Sequence, residues 1–197
     1  MTIKSPAQIR LLVPADAALY RDVRLEGLKQ NPEAFGSSFE FENDKPVEWF
    51  AERIAQSEIF GAFVDGELLG TAGYRVQDGP KRQHKGLLWG MYVRQTARNS
   101  GLGRRLVEAV VTHASGHVEL LQLSVISDNL TAQRLYANLG FAAYGHEVRA
   151  LKQNGRYYDE ILMVRFLAPA GKTQKTACES AVFGFDGAEC DDYVMRS

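Results

Sequence analysis

The spacing of hydrophobic positions along this chain switches repeatedly between the period of two that marks a half-buried strand and the three-to-four spacing of a helix face. Ile9 to Val13 reads as a first strand, and Pro14-Ala15-Asp16 as the turn and N-cap of a helix reaching about Gln30, with Leu19, Val23 and Leu28 on its apolar side. Asn31-Pro32 ends that helix, since the residue before a proline disfavours helical geometry. Glu33 to Glu42 reads as a mixed loop rich in aromatics, and Pro46 to Gln56 as a second helix. Phe60–Val64 and Leu68–Val76 form a predicted hairpin around Asp65-Gly66, a strong turn dipeptide. Asp78-Gly79-Pro80 turns the chain into a strand over Leu87–Val93. Leu102, Leu106, Val110 and Ala114 recur every four residues and predict an amphipathic helix. A strand over Leu120–Val125 follows, then a helix from the N-cap Asp128 to Gly140, with Ala132, Leu135, Tyr136 and Leu139 as its buried stripe. Ala142–Leu151 and Tyr157–Phe166 are two last strands, joined by Lys152 to Arg156 with an Asn-Gly turn.

The order is therefore βααβββαβαββ, an α/β (α+β mixed) class in which a mixed sheet carries helices on both faces. The Leu87 and Leu120 strands are each followed by a helix, which predicts a parallel contact between them. From Ala168 onward the periodicity fades, and Pro169, Gly171, Gly184 and Gly187 interrupt any long element. Residues 1–167 read as one domain and 168–197 as a tail, flexible or docked on a sheet edge or a partner subunit, where Ala181–Phe185 is suited to adding a short strand.

Composition narrows the function classes. With 45% hydrophobic and 24% charged residues in 197, the chain has an ordinary soluble balance and length for one substantial core. A formal net charge of -1 and a pI near 6.4 give no general attraction to nucleic acid or an anionic membrane, and Lys81-Arg82-Gln83-His84-Lys85 reads as a solvated turn. There is no run of 18 apolar residues and no signal-peptide core near Met1, so the expected location is the cytoplasm. Cys178 and Cys190 both lie in the tail and cannot staple the domain. His113 and His117 straddle the end of a helix near Gly116, and no metal site is expected.

The candidate chemistry sits where the Leu87 strand passes into the next helix, through Arg98-Asn99-Ser100-Gly101-Leu102-Gly103-Arg104. Two glycines let a ligand approach the backbone, the first helical N–H groups have no partner inside the helix, and the helix dipole favours an anion there. Arg98, Arg104 and Arg105 add three nearby cations, and the ligand suited to this arrangement is a pyrophosphate. No G-x-x-x-x-G-K-[ST] run exists, and Leu106 stands where a dinucleotide fingerprint needs a third small residue.

The run from Arg98 to Gly103 does match R/Q-x-x-G-x-G/A, and so resembles the acyl-CoA motif of the GNAT N-acetyltransferase superfamily. A second pattern of that superfamily, N-x-x-A-x-x-L-Y-x-x-x-G-F, is matched at Asn129, Ala132, Leu135, Tyr136, Gly140 and Phe141. The resemblance covers about Ile9 to Leu167. It implies a largely antiparallel seven-stranded sheet with a splayed parallel pair in the middle, the wedge taking the pantetheine arm of acetyl-CoA as co-substrate. It implies that the backbone of Met91, Tyr92 and Val93 pairs with the pantetheine, and that Arg98, Asn99, Ser100, Gly101, Leu102, Gly103 and Arg104 hold the pyrophosphate. Asn129 is suited to the pantetheine amide or simply to an Asx turn, and Gly90 to a bulge or close packing. Tyr136 carries over as the general acid that protonates the leaving sulfur, since a phenol with an ordinary pKa of about 10 is protonated at neutral pH.

One departure stands out. Many members carry a glutamate on the fourth strand, and Leu87–Val93 contains no carboxylate. Glu40, Glu42 and His84 are then the candidates for relaying the amine proton. The Pro32–Ser38 segment is similar to one bordering the acceptor cleft in small-molecule members, which puts Phe35, Glu40 and Glu42 on the acceptor side, with Phe39, Phe41 and Trp49 as further wall or plain packing. Both cysteines lie in the tail, against a covalent intermediate. The expected activity is direct transfer of an acetyl group to the primary amine of a small molecule, with no metal. A protein N-terminus or lysine as acceptor, or a non-catalytic acyl-CoA sensor, are the alternatives. Superfamily members often dimerise through edge strands or C-terminal segments, so a homodimer is compatible with the resemblance.

Overall fold

The computed structural model describes residues 6–167. The tail reading, with Cys178, Cys190 and the Ala181–Phe185 strand, lies outside the described residues. Within them the elements are β1 (Gln8–Leu11), α1 (Ala17–Gln30), α2 (Phe39–Asn43), α3 (Val47–Ala55), β2 (Glu58–Val64), β3 (Glu67–Val76), β4 (Lys85–Val93), α4 (Leu102–Ala114), β5 (Leu120–Ile126), α5 (Leu130–Ala137), β6 (Ala142–Gln153) and β7 (Arg156–Phe166). One seven-stranded sheet runs in the order β1-β2-β3-β4-β5-β7-β6. Every pair is antiparallel except the central β4 and β5.

Local chemistry explains the turns. Asp65 and Gly66 take φ of 50° and 83°, and Asn154 and Gly155 take 49° and 79°, the paired positive φ values of the two-residue hairpin turn that suits the strands' twist. On one face of the sheet α4 buries Leu102, Leu106, Val110 and Ala114 against Leu121, Leu123 and Val125 of β5, with Tyr136, Leu139 and Phe141 completing that core. On the other face α1 and α3 bury Tyr20, Val23, Leu28, Phe50 and Ile54 against Ile59, Phe63, Leu68 and Tyr92. A Cβ on Gly27 would lie 3.1 Å from the Tyr92 ring, so α1 crosses β4 at close range. Among the described residues no helix is long and apolar enough to cross a membrane.

Three local readings change. Leu19 is 38% exposed, and Tyr20 takes the interior place beside Val23 and Leu28. Asn129, not Asp128, caps α5, its side chain accepting from the Ala132 N–H at 3.1 Å. Phe39–Asn43 is a short helix inside the stretch read as loop, capped by Ser38, whose Oγ accepts from the Phe41 N–H at 3.3 Å. That helix carries Glu42, whose side chain is 0% exposed, onto Arg24 of α1, which donates from Nε at 3.0 Å and Nη2 at 2.8 Å. Arg53 of α3 lies 3.5 Å from the same carboxylate, so one buried anion ties three helices.

Burial by itself would push the Glu42 carboxyl up; the hydrogen bonds and charge of Arg24, with Ser37 and Arg53, override it and hold it below the ordinary carboxylate range. The ionised form therefore stabilises the fold above the unfolded carboxylate pKa of about 4.3, and this contribution is lost as pH falls through the lower folded value. Glu42→Gln should destabilise the protein by about 3–5 kcal/mol at pH 7, because two guanidiniums are left without their anion. Urea melts at pH 7 and pH 3 check this: the gap between wild type and variant should narrow in acid, and a gap independent of pH would exclude the ion pair as its cause.

Candidate functional site

The site begins where the central strands stop pairing. β4 and β5 are joined only at Lys85–Leu120, Gly86–Leu121 and Leu87–Gln122. Beyond that, Leu88–Val93 keeps β3 on one side and Leu123–Ile126 keeps β7 on the other, while the facing edges have no strand partner among the described residues. Gly90 and Met91 together oppose Ala72, because Gly73 pairs with Trp89 and Thr71 with Tyr92, and Gly90 has φ of 61°. This is a β-bulge with glycine at the left-handed position, which bends β4 away from β5. The wedge opens into a cavity of about 910 Å³ lined by Leu88–Val93, by Ser124–Ile126, and by the starts of α4 and α5.

At one end lies the N-terminus of α4. Gly101 has φ of 84°, and the helix has no side-chain cap. The N–H groups of its first turn are thus directed at the cavity without an internal acceptor. A Cβ at Gly101 would meet no protein atom within 4 Å, so the space in front of it belongs to the cavity. Asn99, Gly101, Leu102, Gly103 and Arg104 line it, as does Arg98, whose Nε donates to the Val93 carbonyl at 3.2 Å and whose Nη2 donates to Asn31 at 3.1 Å. Arg104 also pairs with Glu108 at 3.2 Å. Arg105 does not join them, since its guanidinium donates to the Ala7 carbonyl at 2.7 Å. Ser100 is turned inward, its hydroxyl donating to Ala97 O at 2.6 Å, and it is not among the cavity-lining residues.

Met91, Tyr92 and Val93 line the middle of the cavity, as do Asn129 and Tyr136. The Asn129 Oδ1 is committed to capping α5, which leaves only its amide N–H groups for a ligand. Tyr136 is 6% exposed and packs edge-to-face on Phe141 at 5.9 Å. Burial pushes its phenol well above the ordinary value, so it is held protonated and able to donate. The Tyr92 phenol, buried and donating to Glu26 at 2.9 Å, is pushed up to about 12, but Glu26 already takes its hydrogen bond and also pairs with Arg94.

The cavity is also lined by Asn31, which meets Arg98, by Glu33, Ala34 and Phe35 in the turn after α1, and by Arg156 and Tyr158 of β7. Phe35, read as an acceptor-side residue, lines the cavity. The relay candidates do not. Glu42 is locked between Arg24 and Arg53, away from the cavity. Glu40 is exposed on α2 and lines no part of it. His84 precedes the first residue of β4, at the end where β4 and β5 are still paired, about 20 Å along the strand from Gly90. The carboxylates that do line the cavity are Asp128, which lies 3.8 Å from Arg156, and Glu33, on the single turn Pro32–Ala34 that follows α1. Sequence reading named that segment without singling out Glu33. Tyr158 and Glu160, two apart on β7, were also missed. The Glu160 carboxyl, raised by burial despite a hydrogen bond from Ser124, sits beside a cavity residue. The alternation of β7 was a usable signal, but which face it turned to the wedge depended on its pairing with β5.

This geometry fits a CoA thioester. An open strand edge offers backbone pairing to an extended amide chain, uncapped N–H groups and two arginines offer a pyrophosphate seat, and a glycine leaves that seat clear. Known proteins agree. A sequence model described as the acetyltransferase (GNAT) family matches residues 25–141. The chain is 26% identical over 139 residues to the L-amino acid N-acetyltransferase AaaT of Escherichia coli (strain K12), covering 68% of this chain and 85% of that enzyme. It is 33% identical over 135 residues to an aminoglycoside N(6')-acetyltransferase type 1 of Stenotrophomonas maltophilia, covering 64% of this chain and 80% of that one. Its fold is similar to that of yncA, a putative acetyltransferase from Salmonella typhimurium solved with acetyl-CoA, at a TM-score of 0.71 and 18% identity over 87% of this chain and all of the other. With the splayed strands and the uncapped helix already in place, the match settles the family: the chain belongs to the GNAT acetyltransferases and is an acetyl-CoA-dependent N-acetyltransferase.

Proposed function

We propose that the acceptor is the primary amine of a small molecule and that the acetyl group passes to it directly, with both substrates held in the one cavity. The observation carrying this reading is the continuity of that cavity, from the start of α4, past Gly90 and Tyr136, to Glu33 and Phe35. Bound acetyl-CoA supplies a thioester carbonyl. Glu33, a carboxylate lining the cavity, attracts the ammonium form and takes its first proton through water. The neutral nitrogen then forms the new C–N bond as the C–S bond breaks, Tyr136 protonates the departing sulfur, and the nitrogen's second proton, released through water, restores the Tyr136 phenol. AaaT and the aminoglycoside enzyme, by their names, both act on small amines, which supports the same class here.

Incubation with acetyl-CoA and a pooled amine library, read by mass spectrometry against a no-enzyme control, should yield acetylated small molecules. Acetylation of proteins alone would overturn the small-molecule reading.

Tyr136→Phe should lower kcat by about 10²-fold or more with CoA affinity nearly unchanged, as expected for loss of a general acid. Equal kcat in the two would remove the hydroxyl from the reaction.

Gly101→Val should weaken CoA more than about tenfold, because a branched side chain enters the phosphate space and disfavours the left-handed φ. Calorimetry on the folded variant checks it.

Glu33→Gln should depress kcat/KM most at neutral pH, the deficit shrinking as pH rises toward the acceptor's own pKa and the amine arrives uncharged. A deficit constant across pH would assign Glu33 to binding only.

A further inference from the structure

Behind β4 two guanidiniums, the buried Arg24 and the quarter-exposed Arg53, meet a single carboxylate. Arg24 and Arg53 share one carboxylate, Glu42, and among the described residues it is the only acid paired with either. Arg24 is 6% exposed and spends Nε and Nη2 on Glu42. Its Nη1 is the one atom within 4 Å of a Cβ placed on Gly90, at 3.8 Å. The guanidinium also lies over the Phe35 ring, 4.9 Å from its centroid. Gly90 and Phe35 both line the cavity, at the bulge and at the acceptor end. Arg24 does not itself line the cavity; it stands behind Gly90, and a side chain at that position would come between its Nη1 and the cavity. Beside it, Trp89 lines the same cavity, lies under Arg53 at 5.2 Å, and keeps a buried indole N–H without an acceptor.

Glu42 takes Nε and Nη2 of Arg24 and leaves its Nη1 without a hydrogen-bond acceptor among the described residues, so a carboxylate reaching that nitrogen would add a charge-assisted hydrogen bond. CoA's own charges belong at the far end, on the phosphates by α4. The acceptor is the group that comes to the Gly90 bulge. We propose that Arg24 receives a carboxylate of the acceptor, so that the substrate is an amine bearing a carboxylate close to the reacting nitrogen, as an α-amino acid does. In that geometry the nitrogen lies between two opposite charges, its carboxylate toward Arg24 and its ammonium toward Glu33. The inference rests on the acetyl-transfer reading above and names its substrate class.

The test compares transfer to a pool of L-amino acids, with methionine sulfoximine added, against the same compounds as carboxamides, alongside a pool of amines lacking any carboxylate. The carboxamides carry the more readily neutralised amine, so intrinsic reactivity works against the expected result. Wild type should favour acids over carboxamides by more than tenfold in kcat/KM, and Arg24→Gln should bring that ratio close to one by raising KM for the acids. The ratio is insensitive to partial loss of folded protein, and the wild-type comparison stands even where the variant does not fold. Equal use of acids and carboxamides, an unchanged ratio in Arg24→Gln, or transfer only to amines lacking a carboxylate would overturn the inference and leave acetyl transfer intact. Transfer to no amine of any class, by protein that binds CoA, would overturn the reading beneath it as well.

Discussion

Three residue pairs hold the two central strands together, and then they part. Backbone N–H and C=O groups are obligatory hydrogen-bonding groups, and a sheet that abandons its ladder in the middle leaves two rows of them without partners. The remaining structure is arranged around that break. β3 and β7 secure the outer edges of the parting strands, α4 and α5 cover the wedge from one face, and α1 crosses β4 from the other. The break is driven from within β4 by the bulge at Gly90, whose φ of 61° suits glycine. What fills the wedge must offer hydrogen-bonding groups along an extended backbone, and an amide-containing arm meets that demand.

The charged end of the cavity follows the same economy. Three arginines surround the start of α4, yet Arg105 holds the segment before β1 and Arg104 shares its charge with Glu108. The uncapped N–H groups of α4 offer an anion seat beside the side-chain charge, and they come at no cost in side-chain entropy. Arg98 serves two purposes, since its bonds to Val93 and Asn31 join the end of β4 to the end of α1 and so fix the acceptor loop relative to the cofactor seat.

Much of this was legible in the chain because it is local. The four-residue spacing in α4, the Asp-Gly and Asn-Gly turns, the glycines before α4 and the Tyr136 stripe all depend on neighbours within a turn or two. What was not legible depends on distant partners. Glu42 looks like a surface charge in a loop until a five-residue helix carries it onto Arg24, 18 residues earlier. His84 lies just before β4, beside its paired end, and sequence alone does not say where along β4 the pairing with β5 gives out. Glu33 and Glu160 each needed a tertiary neighbour before they could be told from ordinary surface acids.

The missing carboxylate on β4 then has a physical reason. A carboxylate at or near the bulge would sit within reach of Arg24 Nη1, and that pairing would hold it ionised and weaken it as a proton acceptor. It would also occupy the Arg24 Nη1 that Glu42 leaves free and fill the space that Gly90 leaves open. A strand with glycine in that place and tryptophan beside it keeps the cation available, and the proton acceptor proposed above, Glu33, stands on a different segment of the cavity lining. Separating a cationic floor from an anionic wall lets one site hold both charges of a zwitterionic acceptor while keeping the group that must take up a proton away from the group that would suppress its basicity.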